Sequence, residues 1–341
     1  MKFDLHTHIL PREWPDLAKR YGGEGWVRLE HHEPRRARMM IGDRCFRVVE
    51  ENCWDPRRRI DECDKAGVTL QALSTVPVMF SYWAQPQHAH DLSRMLNDHI
   101  AEVVRAHPGR FVGLGTLPMQ NAELACRELE RCKRELGFPG AQIGTHVGGL
   151  NLNEPALQPV FDAAQQLDAA IFVHPWDMLA KERMTRYWLP WLVGMPAETA
   201  LAICSMIFGG VFTRLPRLRV CFAHGGGSFP FTLGRIDHGY EARPDLCAVD
   251  CSTRPSDFVT GPGRDAARFW VDSLVHDADA LRFLLGVMGD RRVCLGSDYP
   301  FPLGEARPGE LIESIAELTG PQRDRLLADN ALEFLGIPAP R

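Results

Sequence analysis

Histidine and aspartate residues stand at the ends of several predicted β-strands in this chain. His6 and His8 lie two residues apart at the end of the first predicted strand. His174 ends the fifth strand, His224 ends the sixth, and Asp298 closes the eighth. Side chains two apart on a strand point the same way, so both imidazoles of the first pair can face one cavity. Three imidazoles and a carboxylate form a good zinc site with room for a water molecule.

The alternative is that some of these histidines only form hydrogen bonds inside the fold, but five residues at equivalent strand ends favour the metal site. The other histidines lack that placement, except His146, which follows the fourth strand and which we expect to support a ligand. The ten cysteines contain no CxxC pair, and we expect them to be reduced thiols that mostly serve packing.

Eight short strands, each followed by a helical segment, must position these residues. They are predicted at Lys2–Leu5, Thr69–Ser74, Phe111–Leu117, Ala141–Ile143, Ala170–Val173, Leu218–Ala223, Phe269–Val271 and Val293–Gly296. Strands that alternate with helices predict a parallel sheet, and eight units indicate a closed (β/α)8, or TIM, barrel. A doubly wound open sheet is the alternative, but no GxGxxG motif opens the first helix.

The chain is longer than the roughly 250 residues that a barrel needs. The largest insertion lies between His8 and Asp55, where two strand-like runs flank Gly42-Asp43, a hairpin signal. We therefore expect one barrel domain over residues 1–341, with a small antiparallel flap at 12–50 above the C-terminal ends of the strands. A second irregular stretch, Ala242–Arg268, is interpreted as a lid or a subunit contact.

Composition excludes several other classes of protein. The 341 residues are 45% hydrophobic and 24% charged, as in an ordinary globular protein. Acidic residues outnumber basic ones 44 to 39, so there is no basic excess for binding nucleic acid. No run approaches eighteen apolar residues, and the first ten residues carry charge where a signal peptide has its apolar core. We expect a cytosolic protein without a membrane span.

The strand-end pattern resembles the amidohydrolase superfamily, in which HxH lies on strand one, histidines lie on strands five and six, and an aspartate lies on strand eight. Binuclear members usually carry a carboxylated lysine on strand four that bridges two metal ions. Residues 139–151 contain no lysine, which favours one metal ion.

Longer segments resemble the family of 2-amino-3-carboxymuconate-6-semialdehyde decarboxylases. The matching strings are NCWDP (52–56), STVPVMFSYW (74–83), VGLGTLPMQ (112–120), HPWDM (174–178), WLPWLVGMPAET (188–199), CFAHGGGSFPFTLGRIDHG (221–239) and LGSDYPFPLGE (295–305). The resemblance runs from Met1 to about Ile337.

This resemblance implies one zinc ion per subunit, with a bound water, held by His6, His8, His174 and Asp298. It also implies that His224 is the catalytic acid–base residue beside the metal. The implied reaction is the non-oxidative decarboxylation of 2-amino-3-carboxymuconate 6-semialdehyde to 2-aminomuconate 6-semialdehyde. No organic cofactor is expected, because the conjugated enamine–aldehyde can itself accept the electron pair.

The implied substrate carries two carboxylates, which guanidinium groups bind well. The resemblance assigns this role to Arg47 and to Arg235, the latter reaching into the neighbouring subunit's site, so it implies a homodimer. Trp191 and Phe301 are candidates to line the substrate pocket, although packing beside the barrel would explain them equally well.

Three further hypotheses remain open from the sequence. The chain could be a related decarboxylase of an aromatic carboxylate, a superfamily hydrolase of a lactone or amide, or a non-catalytic metal-binding scaffold. The first hypothesis places the enzyme in tryptophan (kynurenine) catabolism, where it would limit quinolinate and NAD formation, or in a bacterial route of aromatic degradation.

Overall fold

The structure is a computed structural model that describes residues 1–260 and 266–339. The strands are β1 (Phe3–Ile9), β2 (Val27–Glu33), β3 (Arg36–Ile41), β4 (Arg44–Glu50), β5 (Leu70–Thr75), β6 (Phe111–Thr116), β7 (Gly140–Gly144), β8 (His146–Val147), β9 (Leu150–Asn151), β10 (Ala170–His174), β11 (Val220–Phe222), β12 (Trp270–Asp272) and β13 (Val293–Cys294). The α-helices are α1 (Leu17–Tyr21), α2 (Pro56–Ala66), α3 (Pro86–Ala106), α4 (Ala122–Arg134), α5 (Gln158–Gln166), α6 (Met195–Phe208), α7 (Val211–Arg214), α8 (Phe229–Ala242), α9 (Pro244–Cys247), α10 (Ala278–Met288), α11 (Glu310–Ser314), α12 (Gly320–Asp324) and α13 (Asn330–Leu335).

Eight of these strands form a parallel sheet that closes on itself. Their order is β1-β5-β6-β7-β10-β11-β12-β13, with helices between consecutive strands. The last strand returns to the first, because Leu5 N–H donates to the Leu295 carbonyl at 2.9 Å and Thr7 bridges to Tyr299. The predicted (β/α)8 barrel is confirmed, and the open sheet is wrong.

The helix α2 shows how local sequence sets these elements. Its N-cap is Asp55, whose carboxylate accepts hydrogen bonds from the N–H groups of Arg57 at 2.9 Å and Arg58 at 3.5 Å. Pro56 occupies the first helical position, and Gly67 ends the helix in the left-handed conformation. Asp55 and Pro56 therefore set the start of this helix.

A bulge in β1 turns the two histidines into the barrel mouth. The pairing with β5 slips by one residue between Asp4 and Thr7. Before the slip, Phe3 and Leu5 pack in the apolar interior of the barrel; after it, His6 faces inward against Phe172. A bulge re-aims the side chains that follow it. The strand also continues to Ile9, beyond the predicted end at Leu5.

The barrel interior below the histidines is a closed apolar cluster. It contains Phe3, Leu5, Leu114, Phe172, Cys221 and Cys294, all buried, and α13 covers its lower end. The two cysteines act there as small apolar side chains, as expected. A second, larger cluster fills the layer between the barrel wall and the outer helices. The polar residues of the barrel mouth therefore rest on a packed base.

The predicted flap is a three-stranded antiparallel sheet, β2-β3-β4, within the predicted range 12–50. The Gly42-Asp43 turn connects β3 and β4, as predicted. The register slips between Met39 and Met40, which leaves Phe46 as an extra residue in β4. Both Phe46 and its neighbour Arg47 consequently line one cavity.

Two further stretches bear on the expectations about membrane spans and about a lid or subunit contact. The segment Pro190–Phe208 is long and apolar enough, by length and composition alone, to cross a membrane, and 44% of it is buried within the fold. Its residues Ile203 and Met206 pack in the core of the barrel wall. The irregular stretch Ala242–Arg268 includes α9 and a short 3₁₀ turn, Pro255–Phe258. Its residues 261–265 lie outside the described part of the chain, so its predicted role as a lid or subunit contact remains a prediction.

Candidate metal centre and active site

The strand-end residues meet at the barrel mouth. The Nε2 atom of His6 lies 3.2 Å from Nε2 of His8 and 3.4 Å from Oδ1 of Asp298. Nε2 of His8 lies 3.0 Å from the same carboxylate oxygen. Donor atoms of His6, His174, His224 and Asp298 also lie within 4.8 Å of one another. All five predicted residues therefore surround one point.

Hydrogen bonds fix the tautomers of three of the four histidines. Nδ1 of His6 donates to Asp272 Oδ2 at 2.7 Å, Nδ1 of His8 donates to the Thr75 carbonyl at 3.0 Å, and Nδ1 of His174 donates to the Pro175 carbonyl at 2.9 Å. The two carbonyls can only accept, and the Asp272 carboxylate accepts from His6, so Nδ1 is the donor in each ring and Nε2 is the nitrogen that faces the centre. Metal-bound histidines commonly have this arrangement.

The spacing of these donor atoms fits a metal ion. Two ligands about 2.0–2.1 Å from a tetrahedral zinc ion lie about 3.3 Å apart. The three separations among His6, His8 and Asp298 are 3.0–3.4 Å. Nε2 of His174 is buried and has no hydrogen-bond partner among the described residues. Lone pairs that converge in this way repel one another, and a cation between them relieves the repulsion.

The local electrostatics also favour a cation. The pKa of Asp298 is held far below its usual range, because hydrogen bonding and the nearby charge of the histidines outweigh the effect of burial. Burial lowers the pKa of His8 and, more strongly, that of His174, so both imidazoles stay neutral and can act as ligands. The site thus combines neutral nitrogens with a carboxylate that remains ionised.

His224 differs from the other histidines. Its Nδ1 atom is buried without a hydrogen-bond partner in the described residues, and its Nε2 lies 4.0 Å from Asp298 Oδ2. Its backbone is left-handed, with φ of 55°, in the turn that follows β11. Burial lowers its pKa to about 4. Its imidazole is therefore neutral at pH 7 and can accept a proton.

The sequence analysis missed one residue of the centre, Asp272. Its Oδ2 accepts the hydrogen bond from His6, while its Oδ1 accepts from the N–H groups of Gly225 at 2.8 Å and Leu274 at 3.1 Å. It thereby joins a ligand to the turn that carries His224. The signal was present in the sequence, because Asp272 directly follows the predicted seventh strand.

Gln142 lies on β7, the fourth barrel strand, where binuclear relatives were expected to carry the bridging lysine. Its amide donates to the Thr75 carbonyl at 2.9 Å and accepts from the Ser74 hydroxyl at 2.8 Å. These bonds tie it to the strand that also orients His8. A carboxamide held in this way supplies no bridging anion for a second metal ion.

A cavity adjoins the metal centre. Its lining includes His8, His174, Asp298, Arg47, Phe301 and the tryptophans 176, 188 and 191. The Arg47 guanidinium lies 4.5 Å from the Phe301 ring centre and 5.7 Å from that of Trp191. No side-chain carboxylate pairs with it in the described part of the chain. The cavity therefore presents an unpaired cation held between aromatic rings.

A second cavity lies on the His224 side of the centre. Trp191, Met195 and Leu303 line both cavities. Gly227 lines the second one at φ of 62°, and a Cβ there would stand 2.3 Å from the Pro196 carbonyl oxygen. The glycine turn thus permits close backbone approach.

Two sequence candidates lie outside these cavities. Arg235 is exposed on α8 and lines neither cavity of its own chain. His146 does not contact a metal ligand. Its Nδ1 lies 2.7 Å from the Gly148 carbonyl oxygen, and its Nε2 lies 3.1 Å from that of Asp177. His146 therefore stabilises the loop that carries Trp176, and it does not orient a metal ligand.

Comparison with known proteins adds a family. The model of the Amidohydrolase family matches residues 3–337. A 2-amino-3-carboxymuconate-6-semialdehyde decarboxylase from Dictyostelium discoideum is 60% identical over 99% of this chain and 92% of its own. The enzyme of that name from Caenorhabditis elegans is 37% identical over 98% and 94%. Among solved structures, a dihydroxybenzoic acid decarboxylase from Polaromonas with bound manganese and 2-nitroresorcinol has a TM-score of 0.76 at 22% identity. The alignment covers 98% of this chain and 96% of that chain, and this similarity supports the fold.

Proposed function

Because the chain belongs to the amidohydrolase superfamily and, within it, to the 2-amino-3-carboxymuconate-6-semialdehyde decarboxylase family of metal-dependent decarboxylases, we propose that it converts this semialdehyde to 2-aminomuconate 6-semialdehyde. The proposed metal is one zinc ion per subunit, bound by His6, His8, His174 and Asp298. The observation that supports this most strongly is the set of three imidazole Nε2 atoms that converge on an ionised carboxylate.

Arg47 is the proposed partner of a substrate carboxylate. It lines the cavity beside the metal ligands, and Phe301, Phe46 and Trp191 surround its guanidinium. Burial disfavours the charged form and lowers the pKa of Arg47 below its ordinary value, although the group stays protonated at neutral pH. An anionic ligand would therefore compensate a cation that is largely out of water.

The chemistry requires a carbon–carbon bond to break with its electron pair left on the substrate. Zinc, when bound, would supply a Lewis acid that polarises a substrate oxygen. The conjugated aldehyde of the substrate accepts the electron pair, so no organic cofactor is needed.

His224 is the proposed carrier of the proton that replaces carbon dioxide. Its imidazole is neutral at pH 7, because burial lowers its pKa to about 4, so it first takes up a proton and then delivers it to the substrate carbon. The overall step consumes one proton and releases one carbon dioxide for each C–C bond broken. Nδ1 of His224 has no hydrogen-bond partner among the described residues, so no acceptor fixes the tautomer of this ring.

The substrate can be tested by comparing three compounds on the purified zinc protein. We expect carbon dioxide release from 2-amino-3-carboxymuconate 6-semialdehyde, much slower release from a dihydroxybenzoate, and no opening of a lactone. Arg47 in a cavity beside the metal favours an anionic substrate over a neutral lactone. Turnover of the lactone without release of carbon dioxide from the semialdehyde would refute the proposal.

The proposal includes a homodimer in which Arg235 reaches the neighbouring site and binds the second carboxylate. Arg235 is exposed on α8, beside Phe231, which is 85% exposed. Further exposed apolar area comes from Leu192 and Val193 on the π-helical turn Pro190–Gly194 and from Leu201 on α6. Such area suits a self-complementary contact between two copies.

Subunit mixing tests the shared site. Arg235→Ala and His224→Ala proteins should each be nearly inactive alone. Mixed after dissociation, a heterodimer would contain one complete site, and a random 1:1 mixture would recover about one quarter of the wild-type activity. Absence of recovery, with heterodimers demonstrated, would remove Arg235 from the neighbouring site.

The proposed reaction would lower the supply of the semialdehyde for quinolinate and NAD formation in tryptophan catabolism, or would serve aromatic degradation in a bacterium. The proposed location is the cytosol, in line with ten cysteines that form no disulfide among the described residues.

A further inference from the structure

Arg59 on α2 is the largest side chain that is completely buried in the described residues. Its guanidinium lies between α2 and the barrel wall, behind the metal centre. Nη2 donates to the carbonyls of His8 and of Asn52, the latter at 3.2 Å. Nη1 donates to Thr7 Oγ1 at 3.3 Å and to Gln71 Oε1 at 3.2 Å. Four oxygens thus surround the outer edge of the guanidinium.

None of these four acceptors is a carboxylate, and Arg59 forms no ion pair with any described residue. Its remaining contact is with the ring of Tyr299, whose centre lies 4.6 Å from the guanidinium carbon. Taking a cation out of water is unfavourable unless strong contacts compensate it. A buried arginine that binds only neutral oxygens and an aromatic face therefore needs an explanation beyond charge pairing.

The partners of Arg59 lie directly beside two proposed metal ligands. Thr7 and His8 belong to the HxH motif, and Tyr299 follows Asp298 in the chain. Two backbone bonds join these segments, because His8 N–H donates to the Tyr299 carbonyl at 2.8 Å and Asp298 N–H donates to the His6 carbonyl at 2.8 Å. The guanidinium lies against the outer side of this junction, while the ligands face its inner side.

A second path from Arg59 reaches the other side of Asp298. Gln71, which accepts from Arg59, donates to Asp4 Oδ2 at 3.2 Å. Asp4 in turn accepts from Ser297 N–H at 3.0 Å and from the Ser297 hydroxyl at 2.6 Å. Arg59 is therefore connected to both chain neighbours of Asp298, through the Tyr299 ring and through Gln71 and Asp4.

We propose that Arg59 is a positioning residue that sets the separation of His8 and Asp298 at the metal centre. These two ligands come from the first and last barrel strands, and their donor atoms must stay 3.0 Å apart for both to bind one ion. The planar fork of Arg59 fixes both segments at once, which a flexible ammonium group cannot do. The proposal rests on the ligand assignment made under the proposed function.

Arg59→Lys tests this role, because it keeps the charge and removes the fork. We expect zinc affinity, measured on the holoenzyme by competition with a chelator, to fall about 10–100-fold, as for other residues that orient metal ligands. The visible absorption of the cobalt-substituted protein should change as the ligand geometry changes. With zinc at saturation, kcat should fall while KM stays near the wild-type value, because Arg59 does not line either cavity.

Arg131→Lys is the matched control. Arg131 is also largely buried, but it pairs with Glu128 at 2.8 Å and Asp98 at 2.7 Å between α3 and α4, away from the metal centre. This variant should lower thermal stability without changing zinc affinity or the cobalt spectrum. Equal changes in both variants would assign Arg59 a merely structural role and overturn the proposal.

Two variants of Tyr299 keep the proposal testable if Arg59→Lys does not fold. Tyr299→Phe retains the ring below the guanidinium and removes the hydroxyl bond to Glu62, so zinc affinity should stay near the wild-type value. Tyr299→Leu removes the ring face and should weaken zinc binding several-fold. Wild-type affinity in Tyr299→Leu would overturn the proposal. Failure of the wild-type protein to bind zinc would instead refute the proposed function.

Discussion

At the scale of single residues, the partner of each histidine Nδ1 separates the three proposed metal ligands from the proposed proton carrier. His6, His8 and His174 each donate from Nδ1 to an oxygen, which directs the Nε2 lone pair to the metal centre. His224 has no such acceptor among the described residues, although one of its ring nitrogens also lies within 4.8 Å of the other donors. Distance alone therefore would not distinguish the two roles, whereas the hydrogen bonds do.

This distinction predicts different results for two alanine variants. His224→Ala should retain zinc and lose on the order of 10²–10⁴ in kcat, the range typical of general acid–base catalysis. His8→Ala should lose zinc, because it removes one of three oriented Nε2 donors. Metal content by elemental analysis and single-turnover rates measure both effects. Loss of zinc in His224→Ala would make that residue a ligand.

Much of the centre could be predicted from residue types and strand ends, and some of it could not. The five converging residues follow from their positions after short apolar strands. Asp272 was missed, because a single aspartate after a strand is also typical of a turn. Which histidine carries a proton depends on carbonyls such as those of Thr75 and Pro175, and no sequence pattern predicts those contacts.

At the scale of elements, two bulges aim the functional side chains. The slip in β1 brings His6 and His8 to the inner face of the barrel, and the slip in β4 puts Phe46 and Arg47 on one cavity. The existence of the barrel and the flap followed from periodicity and turn signals. The slips did not, because alternation of side chains gives no sign of where one extra residue enters a strand.

The bounds of the C-terminal helices also could not be predicted from the sequence pattern. The apolar pattern of the sequence predicts helices over Pro308–Leu318 and Pro321–Leu335. The first is only Glu310–Ser314, and the second is divided into α12, a π turn at Arg325–Asp329 and α13. The π turn packs Leu326 into the barrel wall, where Leu295 N–H donates to its carbonyl at 2.8 Å. Tertiary packing thus overrides the helical period there.

Asp272 on β12 forms hydrogen bonds with His6 on β1 and with Gly225 in the turn after β11. We therefore expect a single substitution of Asp272 to weaken zinc binding strongly. Asp272→Asn keeps the shape and removes the charge that holds the proton on His6 Nδ1. We expect zinc affinity to fall about 10–100-fold, with a smaller loss of thermal stability. Asp290→Asn, which breaks an ion pair with Arg325 away from the centre, is the control. Unchanged zinc affinity in Asp272→Asn would show that His6 needs no carboxylate partner.

At the scale of the whole molecule, net charge says little about the ligand. The formal charge is −5, yet the cavity beside the metal site holds an unpaired Arg47 and suits an anion. Local groups set the potential at a buried site more than the sum over the surface does. The composition therefore gave no indication of the sign of the substrate.

Buried histidines predict how stability of the metal-free protein depends on pH. Burial lowers the pKa of His8, His174 and His224, the last to about 4, while unfolded histidines titrate near about 6.5. Between these values the unfolded chain binds more protons than the folded protein does. The free energy of unfolding should thus fall as pH falls from about 6.5 to 4, by up to about 1.4 kcal/mol per pH unit for His224, and His8 and His174 contribute with the same sign.

His6 acts in the opposite sense and in another pH range: burial lowers its pKa, but the bond to Asp272 and nearby carboxylates raise it on balance, so its contribution to stability is lost as pH rises above about 6.5. Urea unfolding at several pH values measures the dependence. His224→Gln, which removes one titrating group, should show a shallower slope. Stability that stays constant or rises on acidification would contradict the assignment of neutral, buried imidazoles.

The most direct test of the central claim is a zinc titration of the metal-free protein, with carbon dioxide release from 2-amino-3-carboxymuconate 6-semialdehyde as the readout. The account predicts no release without metal, and a rate that rises linearly and reaches its plateau at one zinc per subunit. Release at the full rate without metal, or a plateau only at two zinc ions per subunit, would contradict it.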